Sequence, residues 1–309
     1  MAGLLAATPD QAEFLVELLD HGLLIETGEP GVYGRGGGFE RIREAFDRLV
    51  SRVAEPDGAE AMRFPPVLPR RHFEASGYLK SFPHLAGTIF SFEGTEQEAI
   101  EQEDVAHRHG DWSGYQRMTD LVLVPAACYP VYPAIARRGP LPPGGLAIDA
   151  GGAYVFRHEP SADPARLQMF HQREMVRLGE PETVALWRNS WRDRAEEVLT
   201  RVGLDAHPEV AADPFFGRAG RMLAANQRAQ ELKFELLIPI AGPEPTAVAS
   251  FNYHQDHFAG TYGITMADGS PAHTACLGFG LERITLGLLR SHGLDHTRWP
   301  AAVTRQLWP

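Results

Sequence analysis

The sequence predicts an α/β chain, and three stretches carry that expectation. Residues 153–179, AYVFRHEPSADPARLQMFHQREMVRLG, read as strand, polar turn, strand. Pro160, Asp163 and Pro164 break pairing in the turn, which bounds strands at 153–158 and about 167–176. Residues 275–289, ACLGFGLERITLGLL, read as strand, glycine turn, helix. Residues 39–53 repeat Phe39, Ile42, Phe46, Leu49, Val50 and Val53 at helical spacing, with charges between them.

The remaining elements follow in order. A short helix is expected at 9–19 and a strand at 23–26. The glycine-rich GEPGVYGRGGG lacks the Lys-Ser/Thr ending of a phosphate loop and reads as a turn. After the helix at 39–53, the stretch 62–83 reads as a strand that ends in Pro69. Strands are expected at 85–92 and 121–125, and an acidic, solvated helix at 95–109. The apolar run 120–132 reads as a strand that ends in Cys128, and such a lone Cys is ordinarily a buried small hydrophobe. Helices at 182–203 and 213–230 carry Arg188, Arg192, Arg194, Arg201, Arg218, Arg221 and Arg228. Strands at 232–241 and 246–251 precede NYHQDHFAGTYGI, whose His254 and His257 carry only a weak metal signal.

Composition narrows the class. At 309 residues with 44% hydrophobic content, the chain can bury a large core. A formal charge of −11 argues against broad nucleic-acid binding, which needs basic surface to displace counterions. Residues 1–7 lack the charged start of a secretory leader, and no apolar run reaches membrane-spanning length. With only Cys128 and Cys276 as cysteines, a cytoplasmic protein with reduced thiols and no membrane partner is expected.

FRHE, a turn, then RLQMF resembles motif 2 of the class II aminoacyl-tRNA synthetases, fRxE…RxxxF. GFGLER resembles their motif 3, GxGxxR, and the Pro69 segment resembles their motif 1. The resemblance covers about residues 60–290. It implies a central antiparallel sheet of about six strands flanked by helices, closed as a homodimer through motif 1. It implies ATP binding by Arg157, Glu159, Arg166, Phe170 and Arg283, with Arg157 and Arg283 as the catalytic pair. Arg157 would clamp the α-phosphate, where a planar guanidinium suits an oxygen pair that gains charge. Glu159 would read adenine, Phe170 would stack on it, Arg166 would add a phosphate contact, and Arg283 would meet the γ-phosphate.

Within that class the chain resembles the amino acid:[carrier protein] ligases, truncated relatives of the atypical zinc-dependent seryl-tRNA synthetases. SFNYHQDHF, QREM and the helices of 182–230 support this family. The resemblance implies that Cys128, Glu174 and Cys276 bind Zn²⁺ and leave its fourth position for a substrate amine. Glu174, Lys233 and Asn252 are the amino-acid contacts expected. A Mg²⁺ carboxylate is missing from its customary place in PTAVASFN, which leaves Glu235 as the candidate.

The implied reaction is ATP-dependent activation of glycine or alanine as an aminoacyl-adenylate, then transfer to the phosphopantetheine thiol of an acidic carrier protein. Residues 1–38 would be a small appendage, 39–309 the catalytic domain, and about 182–230 a helical insert whose arginines receive the carrier. No tRNA partner is expected. A tRNA-charging enzyme of seryl type and a non-catalytic synthetase paralogue remain the alternatives.

Overall fold

The computed structural model of the chain describes residues 7–309. The leader expectation, which rests on residues 1–7, falls almost wholly outside them, as do the first six residues of the 1–38 segment. Thr8 starts helix α1 (Pro9–Asp20) with a reciprocal capping box to Gln11, and Pro9 supplies the preset first-turn geometry. The glycine-rich stretch that follows is a hairpin, β1 (Leu24–Glu29) and β2 (Val32–Arg35), turning through Gly31 at φ 77°. Helix α2 (Gly37–Ala54) buries Phe39, Ile42, Phe46, Leu49 and Val50 along one stripe, as their spacing dictates.

A three-stranded sheet comes next, formed by β4 (Val67–Pro69), β5 (Thr88–Phe92) and β6 (Gln116–Leu123) in the order β4-β6-β5. The two-residue strand β3 (Glu60–Ala61) precedes it and belongs to the other sheet. Pro69 ends β4 opposite Leu121 and leads directly into helix α3 (Arg70–Ala75), followed by α4 (Tyr78–Ser81). Helix α5 (Glu96–His107) has a Thr95/Glu98 capping box and buries none of its residues, which explains its acidic sequence. The apolar run 120–132 is not one strand. Pairing stops at Leu123, the chain turns through 124–130, and helix α6 (Val131–Ala136) begins. Pro125 removes a ladder donor at that point, so Cys128 lies in a turn.

The central sheet has seven strands in the order β3-β7-β8-β12-β11-β10-β9, against about six expected. Its members are β7 (Leu146–Phe156), β8 (Met169–Gly179), β9 (His207–Val210), β10 (Lys233–Ile238), β11 (Thr246–Gln255) and β12 (His273–Gly280), with β3 at one edge. All pairs are antiparallel except β3 with β7. The edge strand β9 was not expected; it is four exposed residues that include Pro208.

Helix α7 (Pro181–Arg201) crosses β11 and β12, and α10 (Leu281–His292) packs beside α2. Helices α8 (Gly217–Ala229), α9 (His257–Tyr262) and α11 (Ala301–Leu307) complete the chain. Side chains alternate along a strand, so the sheet has two distinct faces. Met175, Leu277, Phe279, Phe251 and Leu236 point into the main core, with Trp191 of α7 and Leu288 of α10. The other face carries the polar row described below. Among the described residues, no helix is long and apolar enough to cross a membrane.

Candidate active site and metal centre

Strand register builds the site. Glu174 on β8 pairs with Gly278 on β12, and Gly278 with Ser250 on β11, which faces Glu235 on β10. One rung along, Val176 pairs with Cys276, Cys276 with Asn252, and Asn252 with Lys233. The alternation therefore places Glu174, Cys276, Asn252, Lys233 and Glu235 on one face of the sheet. Cys128 arrives from the turn before α6. Gln172, two residues before Glu174, accepts the Ala127 N–H at 3.2 Å and ties that turn to the sheet.

Cys128, Glu174 and Cys276 offer ligand atoms that all lie within 4.8 Å of one another, and all three side chains are buried. The set fits a divalent metal. A buried carboxylate oxygen, Glu174 Oε2, has no hydrogen-bond partner. Such an atom is costly unless something compensates it. Burial and then the Cys276 charge push the Glu174 carboxyl well above its usual range. The two thiols divide unequally. The hydrogen bond from Cys128 holds Cys276 toward the thiolate, and the same bond, with burial and Glu174, holds Cys128 as a thiol. Three groups able to carry negative charge share one buried place, and a cation that deprotonates its ligands resolves the conflict.

The arrangement needs glycine at 278. A Cβ there would lie 2.9 Å from Gln172 Nε2 and 3.1 Å from Glu174 Oε1. Beyond the cluster opens a cavity of about 530 Å³ that Cys128, Glu174, Cys276, Arg157, Lys233 and Asn252 all line. Arg157 follows β7, its backbone N–H bonded to Gln168 O at 2.9 Å. Its guanidinium carbon stands 5.9 Å from the Phe170 ring centre, and its Nε is buried with no partner.

The expected nucleotide residues lie beside this cavity. Glu159 and Arg166 pair with each other at 2.8 Å. Arg283 donates to the Ala165 and Ala247 carbonyls, both at 2.8 Å, and shares a tight cleft with Phe170 and Ala165. Burial, then the nearby Arg157 and Arg166, push the Arg283 guanidinium below its usual value. Lys233 Nζ meets Asp213 at 2.6 Å and Glu235 at 2.9 Å. Burial pulls Lys233 down, but the two carboxylates outweigh it and hold it raised.

Asp213, Gln172 and Gln227 were missed from sequence. Asp213 precedes α8, and Gln227 on α8 donates to it at 2.9 Å, but nothing local marks either residue. Gln172 did carry a signal: it shares the strand face of Glu174.

The arginine surface expected on 182–230 needs correction. Arg188 is buried, donates to Glu231 O at 2.9 Å and stacks on Phe234 at 4.8 Å. Arg194 pairs with Asp57 at 2.8 Å and lies over Trp191, and Arg192 stacks on Phe234 at 4.9 Å. These three brace α7 against its neighbours. Arg218, Arg221 and Arg228 on α8 are exposed, beside exposed Phe216, Met222 and Leu223. Leu223 and Gln227 also line the large cavity.

No protein-family model matches the chain. Over 303 residues it is 47% identical to amino acid–[acyl-carrier-protein] ligase 1 of Bradyrhizobium diazoefficiens, covering 96% of this chain and 91% of that protein. Ligase 2 of the same organism is 46% identical over 301 residues, covering 96% and 88%. The type-2 serine–tRNA ligase of Methanopyrus kandleri is 27% identical over 293 residues, with 87% of this chain matched to 54% of that protein. Among solved structures, M. kandleri SerRS in complex with A. aeolicus tRNASec superposes with a TM-score of 0.80 at 22% identity, over 98% of this chain and 61% of that one. Seryl-tRNA synthetase from Pyrococcus horikoshii complexed with ATP gives 0.66 at 17% identity, over 94% and 62%. The fold is that of the class II aminoacyl-tRNA synthetases.

Proposed function

The chain belongs to the amino acid–[acyl-carrier-protein] ligases, and from that premise we propose that it activates glycine or alanine with ATP and transfers it to the phosphopantetheine thiol of an acidic carrier protein in the cytoplasm. One observation carries the reading: Cys128, Glu174 and Cys276 converge on the cavity that Arg157 also lines. Zn²⁺ held by those three would leave a position for the substrate amine, and Mg²⁺ on the ATP phosphates, with Glu235 as its candidate carboxylate, would offset their charge.

In the first step the amino-acid carboxylate attacks the α-phosphorus and pyrophosphate leaves. The carboxylate is already ionised, so no general base is needed. Arg157 takes up charge at the α-phosphate, and its unpartnered Nε is a donor ready for that oxygen. Arg166 and Arg283 receive the outgoing phosphates, and nucleotide replaces the contacts they make with Glu159, Ala165 and Ala247. Glu159 is then free to accept from the adenine amino group, over Phe170. Lys233 and Asn252 line the amino-acid end. In the second step the carrier thiol attacks the adenylate carbonyl and AMP leaves.

Helix α8 is the docking surface for the carrier. Its arginines are free of ion pairs among the described residues, and its apolar residues reach the cavity rim. Residues 39–309 are the catalytic unit, 1–38 an appendage, and 182–230 a helical insert. Two such units pair through the Pro69 segment.

The test measures ATP–pyrophosphate exchange with each small amino acid, zinc content of the same sample, and aminoacyl transfer to phosphopantetheinylated carrier against tRNA. Exchange with glycine or alanine, zinc near one per chain and transfer to carrier alone are expected. A sample that charges tRNA, or that shows no amino-acid-dependent exchange, overturns the reading.

A further inference from the structure

His254 touches the metal cluster without belonging to it. Its Nε2 lies 3.6 Å from Cys276 Sγ, within reach of a hydrogen bond to sulfur. Its Nδ1 faces two hydroxyls, Thr274 Oγ1 at 3.1 Å and Tyr132 Oη at 3.5 Å. Thr274 and Tyr132 are fully buried, so both hydroxyls need local partners. The ring also stands edge-on against the stacked pair Tyr132 and Phe258, at interplanar angles of 85° and 80°. The backbone is shaped to present it. The register between β11 and β12 shifts from Tyr253–Ala275 to Gln255–Thr274, which leaves His254 as the extra residue of a bulge. The next residue, Gln255, takes φ 54°, a conformation unfavourable to a side chain that bulky. Bulges beside active sites commonly re-aim a side chain.

A metal-bound thiolate has no proton to give. The contact at Cys276 is then attractive only if Nε2 carries the hydrogen; in the neutral ring Nδ1 is then the acceptor for the hydroxyls. Which ring nitrogen is protonated is set by the bond the other one makes. Asn252 Nδ2 approaches the same sulfur at 3.6 Å. Cys276 thus receives two N–H donors.

We propose that His254 is a positioning residue for the metal centre, donating its Nε2–H to the Cys276 sulfur and, with Asn252, fixing that sulfur toward the ion. The inference rests on the reading of Cys128, Glu174 and Cys276 as a metal site. Second-layer donors of this kind hold ligand orientation, and their loss commonly costs about 10–100-fold in metal affinity.

The experiment compares zinc affinity, by competition with a chromophoric chelator, in the parent, His254→Phe and His254→Gln. Phenylalanine keeps the ring packing and removes the donor; glutamine restores an N–H. His254→Phe should bind about 10–100-fold more weakly and His254→Gln should recover most of the loss. In the cobalt-substituted proteins, the thiolate-to-cobalt charge-transfer band should move in His254→Phe and return in His254→Gln. Equal affinity and an unmoved band in a folded His254→Phe overturn the proposal. Should that variant not fold, histidine ¹⁵N spectra of the zinc-loaded parent decide: an Nε2–H tautomer for His254 supports it, and an Nδ1–H tautomer overturns it. A parent that binds no zinc overturns the metal reading itself, which separates the two failures.

Discussion

Replacing Glu174 by glutamine should affect the protein in opposite directions with and without metal. The side chain is 2% exposed, and Oε2 has no partner. In metal-free protein the carboxylate is a burden: burial and the Cys276 charge both oppose its ionisation. An amide of the same shape removes that conflict, so Glu174→Gln should leave the chelated protein as stable as the parent, or more so. Zinc reverses the comparison. At free zinc 100-fold above its dissociation constant, binding stabilises the parent by about 2.7 kcal/mol. If losing one of three protein ligands weakens binding about 100-fold, the same zinc adds only about 0.4 kcal/mol to the variant. The assay is thermal unfolding of both proteins in chelator and in buffered zinc. The parent's midpoint should rise by several degrees and the variant's should barely move. A Glu174→Gln protein whose midpoint climbs with zinc as far as the parent's refutes the assignment of Glu174 as a ligand.

Arg157→Ala should lower amino-acid-dependent pyrophosphate exchange about 10²–10³-fold, the scale for losing one preorganised donor at a developing charge. Arg157→Lys should rescue little, since an ammonium lacks the planar fork. Arg188→Glu should destabilise the fold by about 2 kcal/mol or more, because it buries an unpaired carboxylate against Phe234; denaturant unfolding measures this. Reversing exposed Arg218 and Arg221 should leave unfolding and pyrophosphate exchange unchanged, but slow transfer to the carrier. The slowing should shrink at high salt as the charge contribution is screened. Asp213 answers to pH: burial raises its pKa, but Lys233 and Gln227 outweigh burial and hold it below the ordinary carboxylate value. A depressed folded-state pKa stabilises the protein above the ordinary value, and the contribution fades as acid carries the pH through the depressed one. Asp213→Asn should therefore cost stability near neutrality, with the difference closing in acid; a pH-independent difference contradicts this account.

The sequence revealed most where chemistry demands particular residue types close together in the chain. FRHE…RLQMF and GFGLER could be read because each sits on one hairpin or one strand-to-helix turn. Partners brought together across the fold were much harder to see. Asp213 reaches Lys233 because β9 pairs with β10 just ahead of it, setting the Ala211 N–H on the Lys233 carbonyl, and no local pattern announces it. The arginines of α7 show a different failure. A charged residue on a helix reads as solvated, yet Arg188 stands four residues after Val184 and three before Trp191, on the buried stripe. Helical spacing alone places it indoors, whatever its charge. Apolar character alone extends a strand over 120–132, whereas pairing ends at Leu123, two residues before Pro125.

Gly278 joins two duties that look separable on paper. It is the first glycine of the segment that ends in Arg283, the residue proposed above for nucleotide, and it leaves room for the Gln172 and Glu174 side chains. Anyone redesigning the Arg283 end of this pocket inherits a constraint from the Cys128–Glu174–Cys276 end. Even alanine at that rung would displace the Gln172 amide and nudge the acidic side chain, so changes at one end of the pocket carry to the other.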